Sequence, residues 1–167
     1  MVEKYELFKS KVKHTGMFDF KECYRILYEW LVDQNYDVNE KNYKENIGAG
    51  GAKEIEIEWE AWRKVSDYFR FYIQAKWHII GMTTVEVEID GVKQKINKGQ
   101  FELAIKCVLE KDYEDRWATR PFFKFLRTFY DKYLIRERTE QFEGKLIAEM
   151  EEFSNQCKSF LALTGRK

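Results

Sequence analysis

Between residues 54 and 110 apolar and polar side chains alternate almost one for one. Ile55, Ile57, Trp59 and Ala61 are interleaved with Glu54, Glu56, Glu58 and Glu60. Phe69, Phe71, Ile73, Ala75, Trp77 and Ile79 then alternate with Arg70, Tyr72, Gln74, Lys76 and His78. Val85, Val87 and Ile89 alternate with Glu86 and Glu88, and Phe101, Leu103, Ile105, Cys107 and Leu109 repeat the pattern. A period of two belongs to strands with one dry and one wet face, as in an antiparallel sheet. The odd-numbered residues of 55–89 and 101–109 are therefore expected to share the dry face.

The turns set the register. Asp90-Gly91 is a two-residue hairpin signal that pairs Ile89 with Val92, Glu88 with Lys93, Glu86 with Lys95 and Val85 with Ile96. At Ser66-Asp67 a two-residue loop would lay the dry face of one strand on the wet face of the next. A three-residue loop, Ser66-Asp67-Tyr68, restores the parity and pairs Glu58 with Lys76 and Glu56 with His78. Opposite charges then meet across both hairpins, each pair contributing on the order of 0.2–1 kcal/mol.

The flanking segments read differently. Asp19 and Glu22 form a capping-box pair, with Phe18 and Cys23 in the staple positions, and Phe20, Cys23, Tyr24, Leu27, Trp30 and Leu31 predict a helix to about Gln34. Segments 2–13 and 36–47 alternate weakly and are candidate strands. After a polar break at 111–115, Pro121 suits the first helical position, with Thr119 or Arg120 near the cap. Phe122, Phe125, Leu126, Phe129 and Tyr133 then recur at three and four, widened by Phe123, Tyr130 and Leu134. A second run, Phe142, Leu146, Met150, Phe153, Cys157 and Phe160, carries helical spacing towards the C-terminus.

The expected fold is α+β, with a single domain over 1–167. Its N-terminal helix and weak strands occupy 1–53, an antiparallel meander 54–110, and the C-terminal helices 116–163, in a sheet of about five to seven strands. This order of elements resembles the helix-grip, or START-like, arrangement. The resemblance implies a terminal helix lying across a curved sheet, sometimes with a cavity for an apolar ligand.

Composition narrows the function classes. The 167 residues are 44% apolar and 17% aromatic, enough to bury a core without staples, and one proline with nine glycines leaves no flexible linker. Lys+Arg and Asp+Glu both number 29, so no global field draws the chain to nucleic acid or membrane, while self-association stays open. Cys23, Cys107 and Cys157 form no CxxC pair and read as buried thiols; with only His14 and His78 available, a Cys/His zinc site is not expected. The opening residues lack the apolar stretch of a secretory signal, so cytoplasm is the expected location. Neither cofactor nor metal is expected.

Any electrostatic function must be local. From Arg116 to Arg138, basic residues at 116, 120, 124, 127, 132, 136 and 138 outnumber Asp131 and Glu137. Arg120, Lys124 and Arg127 stand at i, i+4 and i+7 beside the aromatic stripe, with Arg116 and Trp117 just before. Basic, phenylalanine-rich amphipathic helices suit an anionic membrane surface or an acidic protein partner, so these five residues are the leading binding candidates in a non-enzymatic interaction module. The simpler packing turns the aromatics onto the sheet.

Three other readings compete. A carrier of a hydrophobic small molecule would use Phe69, Phe71, Trp77, Phe101 and Phe153 as cavity lining. An enzyme would use the Glu56/His78 region, although no nucleophile or oxyanion donor can be placed beside it. Trp62, Tyr68, Arg70, Tyr72 and Lys76 resemble a stacking platform for RNA, but the register sets Glu56, Glu58 and Glu86 among such cations and disfavours nucleic acid. The Gly48–Lys53 run is followed by Glu54 and a strand, which fits a hairpin tip and not a phosphate loop.

Overall fold

In the computed structural model, which describes residues 2–115 and 121–165, the alternating segments form one antiparallel sheet. Its strands are β1 (Glu3–Phe18), β2 (Asp37–Ile47), β3 (Lys53–Lys64), β4 (Phe69–Ile89) and β5 (Val92–Lys111), in the spatial order β1-β5-β4-β3-β2. Helix α1 (Phe20–Asp33) links β1 to β2. After β5 come α2 (Pro121–Phe129), a π-helical turn at Tyr130–Leu134, and the long α3 (Arg136–Thr164). The protein is α+β, as its periodicities require.

Both hairpin registers are those the turns dictate. Ile89 pairs with Val92, Glu88 with Lys93, Glu86 with Lys95 and Val85 with Ile96, while Glu58 pairs with Lys76 and Glu56 with His78. Ser66 Oγ stabilises the odd loop by accepting from the backbone N–H of Tyr68 at 3.2 Å and of Phe69 at 2.9 Å. The glycine run closes the β2–β3 hairpin through a short 3-10 turn at Ala49–Gly51.

The two weakly patterned segments are strands too. β1 pairs with β5 along its length, with its parity shifted between Glu6 and Phe8. Its core-side positions include Ser10 and His14, so apolar alternation is faint although the pairing is complete. β2 likewise shifts register between Glu40 and Asn42.

A third bulge corrects the expected dry face. Ile79 pairs with Phe101, but the register shifts between Ile80 and Thr83, after which Thr84 pairs with Asn97. On β5, Asn97 and Phe101 lie on the same side, so core-facing parity in β4 passes from odd to even. Met82 accordingly joins the core cluster, whereas Val85, Val87 and Ile89 fall on the outer face, with Val85 beside Ile96. The alternation continues across the bulge, but the face it marks has changed.

Two glycines permit this bend. Gly81 has φ +62°, and a Cβ on Gly99 would stand 2.9 Å from the Ile80 carbonyl oxygen and 3.1 Å from Met82 Cα. Gly99→Ala is expected to cost on the order of 1–3 kcal/mol, since backbone must move to admit the methyl group. Gly144→Ala, in a helix with open space around it, is expected to stabilise by about 0.5–1 kcal/mol. Chemical denaturation of the two variants checks the contrast; equal midpoints would mean that the bulge does not need its glycine.

The helices close the core. Asp19 caps α1, its Oδ1 accepting from Glu22 N–H at 3.0 Å, while the Glu22 carboxylate turns to Arg25 and does not complete a capping box. Cys23, Leu27 and Leu31 from α1 and Leu146, Met150, Phe153, Cys157 and Leu161 from α3 are buried against the odd residues of β3, β4 and β5. Along the edge of this layer, Arg63 Nη2 lies 2.8 Å from Glu149 Oε1, and Tyr36 donates to Glu149 Oε2 at 2.7 Å, which ties β3 and the end of α1 to α3. All three cysteines are free and buried, and burial pushes the Cys107 thiol up to about 12. Among the described residues, no helix is long and apolar enough to cross a membrane.

Candidate functional site

Helix α2 is oriented against its own hydrophobicity. Its aromatic stripe should be the side that packs, yet the residue it turns inward is a cation, Arg127. Arg127 is 9% exposed, and its guanidinium enters a socket at one end of the sheet. Nη1 lies 3.4 Å from Asp112 Oδ2, Nη2 3.3 Å from Glu3 Oε1, and Nε 3.7 Å from Asp131 Oδ2. Nε also donates to the Tyr68 hydroxyl at 3.2 Å, and that hydroxyl donates to Asp131 Oδ1 at 2.6 Å. Burial and this bond to Asp131 hold the Tyr68 phenol well above its ordinary range. Asp112 is 2% exposed, so the arginine compensates a carboxylate that has left water.

With Arg127 inward, Phe122, Phe125, Phe129, Tyr133 and Leu134 point outward, each more than half exposed. The packing that would turn this stripe onto the sheet is overturned. Leu126 and Tyr130 occupy the inner side, with the Tyr130 ring 5.9 Å from that of Tyr68, and Ile135 is buried beyond the π-helical turn. Lys124 and Lys132 flank the exposed rings on the solvent side.

Of the five leading binding candidates, Arg116, Trp117 and Arg120 lie outside the described residues. Lys124 is exposed as a surface contact requires. Arg127 is instead the anchor that fixes the helix. Nothing in the sequence joined Glu3, Tyr68 and Asp112, which come from three separated segments, and Tyr68, read as part of a stacking platform, is bonded to Arg127 and Asp131 instead; Asp131, one turn beyond Arg127, was the local hint.

No protein-family model matches this chain, and no curated protein sequence matches it. Function must therefore be argued from the site.

The suggested cavity lining is all core. The Trp77 ring meets Trp59 at 4.9 Å, Phe101 at 5.7 Å and Phe20 at 6.4 Å between centroids. Phe142 of α3 covers Phe69 at 5.1 Å and Phe71 at 6.1 Å, and Phe153 lies 5.3 Å from Trp30. These five side chains pack ring against ring.

On the outer face, His78 Nε2 lies 2.8 Å from Glu54 Oε1 and 4.0 Å from Glu56 Oε1. The three ligand atoms fall within 4.8 Å of one another, a set able to ligate a cation, though all three side chains are well exposed. A shallow hollow of about 310 Å³ joins Glu56, Glu58, Lys76 and His78. Its lining can move a proton but includes no Ser, Thr or Cys nucleophile.

Elsewhere on this face the expected neutralisation holds only in part. Arg70 Nε lies 2.5 Å from Glu110, whose carboxylate is 1% exposed, and Tyr72 donates to Glu60 at 2.8 Å. Glu58 and Lys76 are cross-strand neighbours yet form no contact ion pair; Glu58 Oε1 accepts from Gln74 Nε2 at 2.6 Å. Register places two side chains side by side; it does not oblige them to bond.

Proposed function

We propose that this protein is a non-enzymatic interaction module that docks on an anionic membrane surface through helix α2. The observation that carries the reading is the outward aromatic face of α2, held there by a buried arginine. A helix whose apolar side faces water, with lysines beside it, has the composition that settles into the boundary between headgroups and acyl chains. Aromatic rings favour that boundary because they combine a large apolar area with a polarisable face. Near-zero net charge means that attraction to anionic lipid must come from nearby cations such as Lys124 and Lys132. The carrier reading draws less support, since its lining residues are occupied with one another.

Sedimentation with phosphatidylcholine vesicles, with and without phosphatidylserine, tests the proposal. Wild type is expected to bind the anionic vesicles and to release at high salt. Phe125→Ser with Phe129→Ser is expected to weaken binding by about tenfold per ring or more, and Lys124→Glu with Lys132→Glu to abolish the preference for phosphatidylserine. Both variants should melt where wild type does, because their side chains are exposed. Wild type that ignores anionic vesicles, or a double phenylalanine variant that binds as before, overturns the reading. A face covered by self-association would appear as vesicle-indifferent dimerisation.

A further inference from the structure

We infer a second site, on the outer face of the sheet, that binds a small polyphosphate. The pairing of β1, β5 and β4 lays the outward side chains on a grid. One rung reads Lys11, Ala104, Lys76, and the next Lys9, Lys106, Gln74. On the other side of Ala104 the rung is Lys13, Glu102, His78. Ala104 is thus a methyl group surrounded by long side chains, and the space above it is a hollow of about 550 Å³ rimmed by Lys9, Lys11, Lys76, Lys106 and Gln74.

The charges around this hollow cancel only in part: Lys9, Lys11, Lys76 and Lys106 face Glu6, Glu102 and, across the strand from Lys76, Glu58. Lys106 Nζ lies 2.6 Å from Glu6, and Lys11 Nζ lies 3.0 Å from Glu102, which Lys13 also approaches at 3.7 Å. Two carboxylates thus answer two of the four rim lysines. Lys9 and Lys76 take part in no hydrogen bond or ion pair among the described residues, and Glu6 is held low first by Lys106, with Lys9 adding a smaller attraction. Lys76 makes no contact ion pair with Glu58, its cross-strand neighbour, whose Oε1 accepts from Gln74, although that carboxylate remains the nearest counter-charge across the strand pair. Two ammonium groups on opposite edge positions of a hollow, with further donors from Lys11, Lys106 and the Gln74 amide, suit a ligand carrying two or more phosphoryl groups. A single carboxylate would satisfy only one of them. The strands supply a rigid base, so little backbone order is lost on binding.

The hollow sits on the face opposite the α1 and α3 contacts and shares no residue with α2, so it stands independently of membrane docking. It also differs from an extended nucleic-acid track. The rung beyond Lys106 is Glu6, Val108 and Tyr72, and the rung beyond Ala104 carries Glu102, so no row of free cations among the described residues continues the hollow, and the aromatic Tyr72 is bound to Glu60.

Calorimetric titration of the full chain with inorganic pyrophosphate tests the site, with inorganic phosphate and a single-stranded oligonucleotide as comparisons. Pyrophosphate is expected to bind more tightly than phosphate. Lys9→Ala and Lys76→Ala are each expected to weaken it by about tenfold or more, with unchanged melting, since neither lysine supports the fold through a partner. Lys124→Ala, on α2, should bind pyrophosphate as wild type does. Ala104→Glu provides a second route, because it puts a carboxylate at the floor and should abolish binding while Lys9 and Lys76 remain. Absence of pyrophosphate binding by wild type overturns the site, as does full binding by the Lys9→Ala, Lys76→Ala double variant. An oligonucleotide that binds more tightly than pyrophosphate through the same two lysines overturns the ligand class.

Discussion

Arg127→Leu is expected to lose about 3–5 kcal/mol of folding stability, the usual cost of breaking a buried ion pair from one side. The size follows from what the arginine leaves behind. Asp112 is 2% exposed, and Glu3 and Asp131 converge on the same guanidinium. Removing it puts several carboxylates around one apolar side chain. Equilibrium denaturation measures the loss, and hydrogen exchange over 121–134 should quicken as α2 comes away. Adding Asp112→Asn to the leucine variant is expected to recover part of the stability, because a buried carboxylate that has lost its arginine is costlier than a buried amide. Lys124→Leu, one turn earlier and exposed, should stay within about 0.5 kcal/mol of wild type. An Arg127→Leu protein as stable as wild type would mean that some other contact holds the helix with its aromatic face outward, and the geometric basis of the membrane reading would fall with it.

Trp77→Ala is expected to be comparably damaging, at about 3–5 kcal/mol. Its indole is 1% exposed and meets the rings of Phe20, Tyr24, Trp59 and Phe101, so truncation opens a cavity that rigid strands cannot close. Trp77→Phe should be far milder, about 1 kcal/mol, although it also loses volume. The reason is that Trp77 Nε1 is buried with no hydrogen-bond partner among the described residues. Losing an unsatisfied donor removes a penalty, which offsets part of the lost volume. Denaturation midpoints of the two variants decide the matter. If phenylalanine proved as harmful as alanine, the indole N–H would have to be bonded in solution, and the ring cluster would not be the sealed core described above.

Both expectations rest on contacts that differ in how far they could be read from the residues. The β3–β4 and β4–β5 hairpins were legible because turn chemistry and alternation agree there: Asp90-Gly91 sets one register and parity the other. The core-facing run of α3 was legible for the same kind of reason, since Leu146, Met150, Phe153 and Cys157 follow the helical period and end up buried. β1 was faint because Ser10 and His14 occupy its inner positions and a bulge shifts its parity at Glu6–Phe8. The outward turn of Val85, Val87 and Ile89 could not be seen at all, since a one-residue bulge at Gly81 leaves the spacing of the letters intact while reversing the face they mark.

The candidate sites divide in the same way. Residue order alone determined that a basic, aromatic segment follows the sheet, that its rings and cations share a helix, and that Glu58 stands opposite Lys76. Only the tertiary structure decided which way that helix faces and which cations stay unpaired. Periodicity records how apolar a side is, but not what a distant carboxylate costs when buried without a counterion. Asp112, Glu3 and Asp131 meet Arg127 only once the chain has folded, and the buried Asp112 needs that counterion whichever way the phenylalanines then face. Likewise Glu58 bonds Gln74 and makes no contact ion pair with Lys76, which also lines the hollow above Ala104: bonding between neighbours is settled by geometry in three dimensions, which adjacency along a strand does not contain.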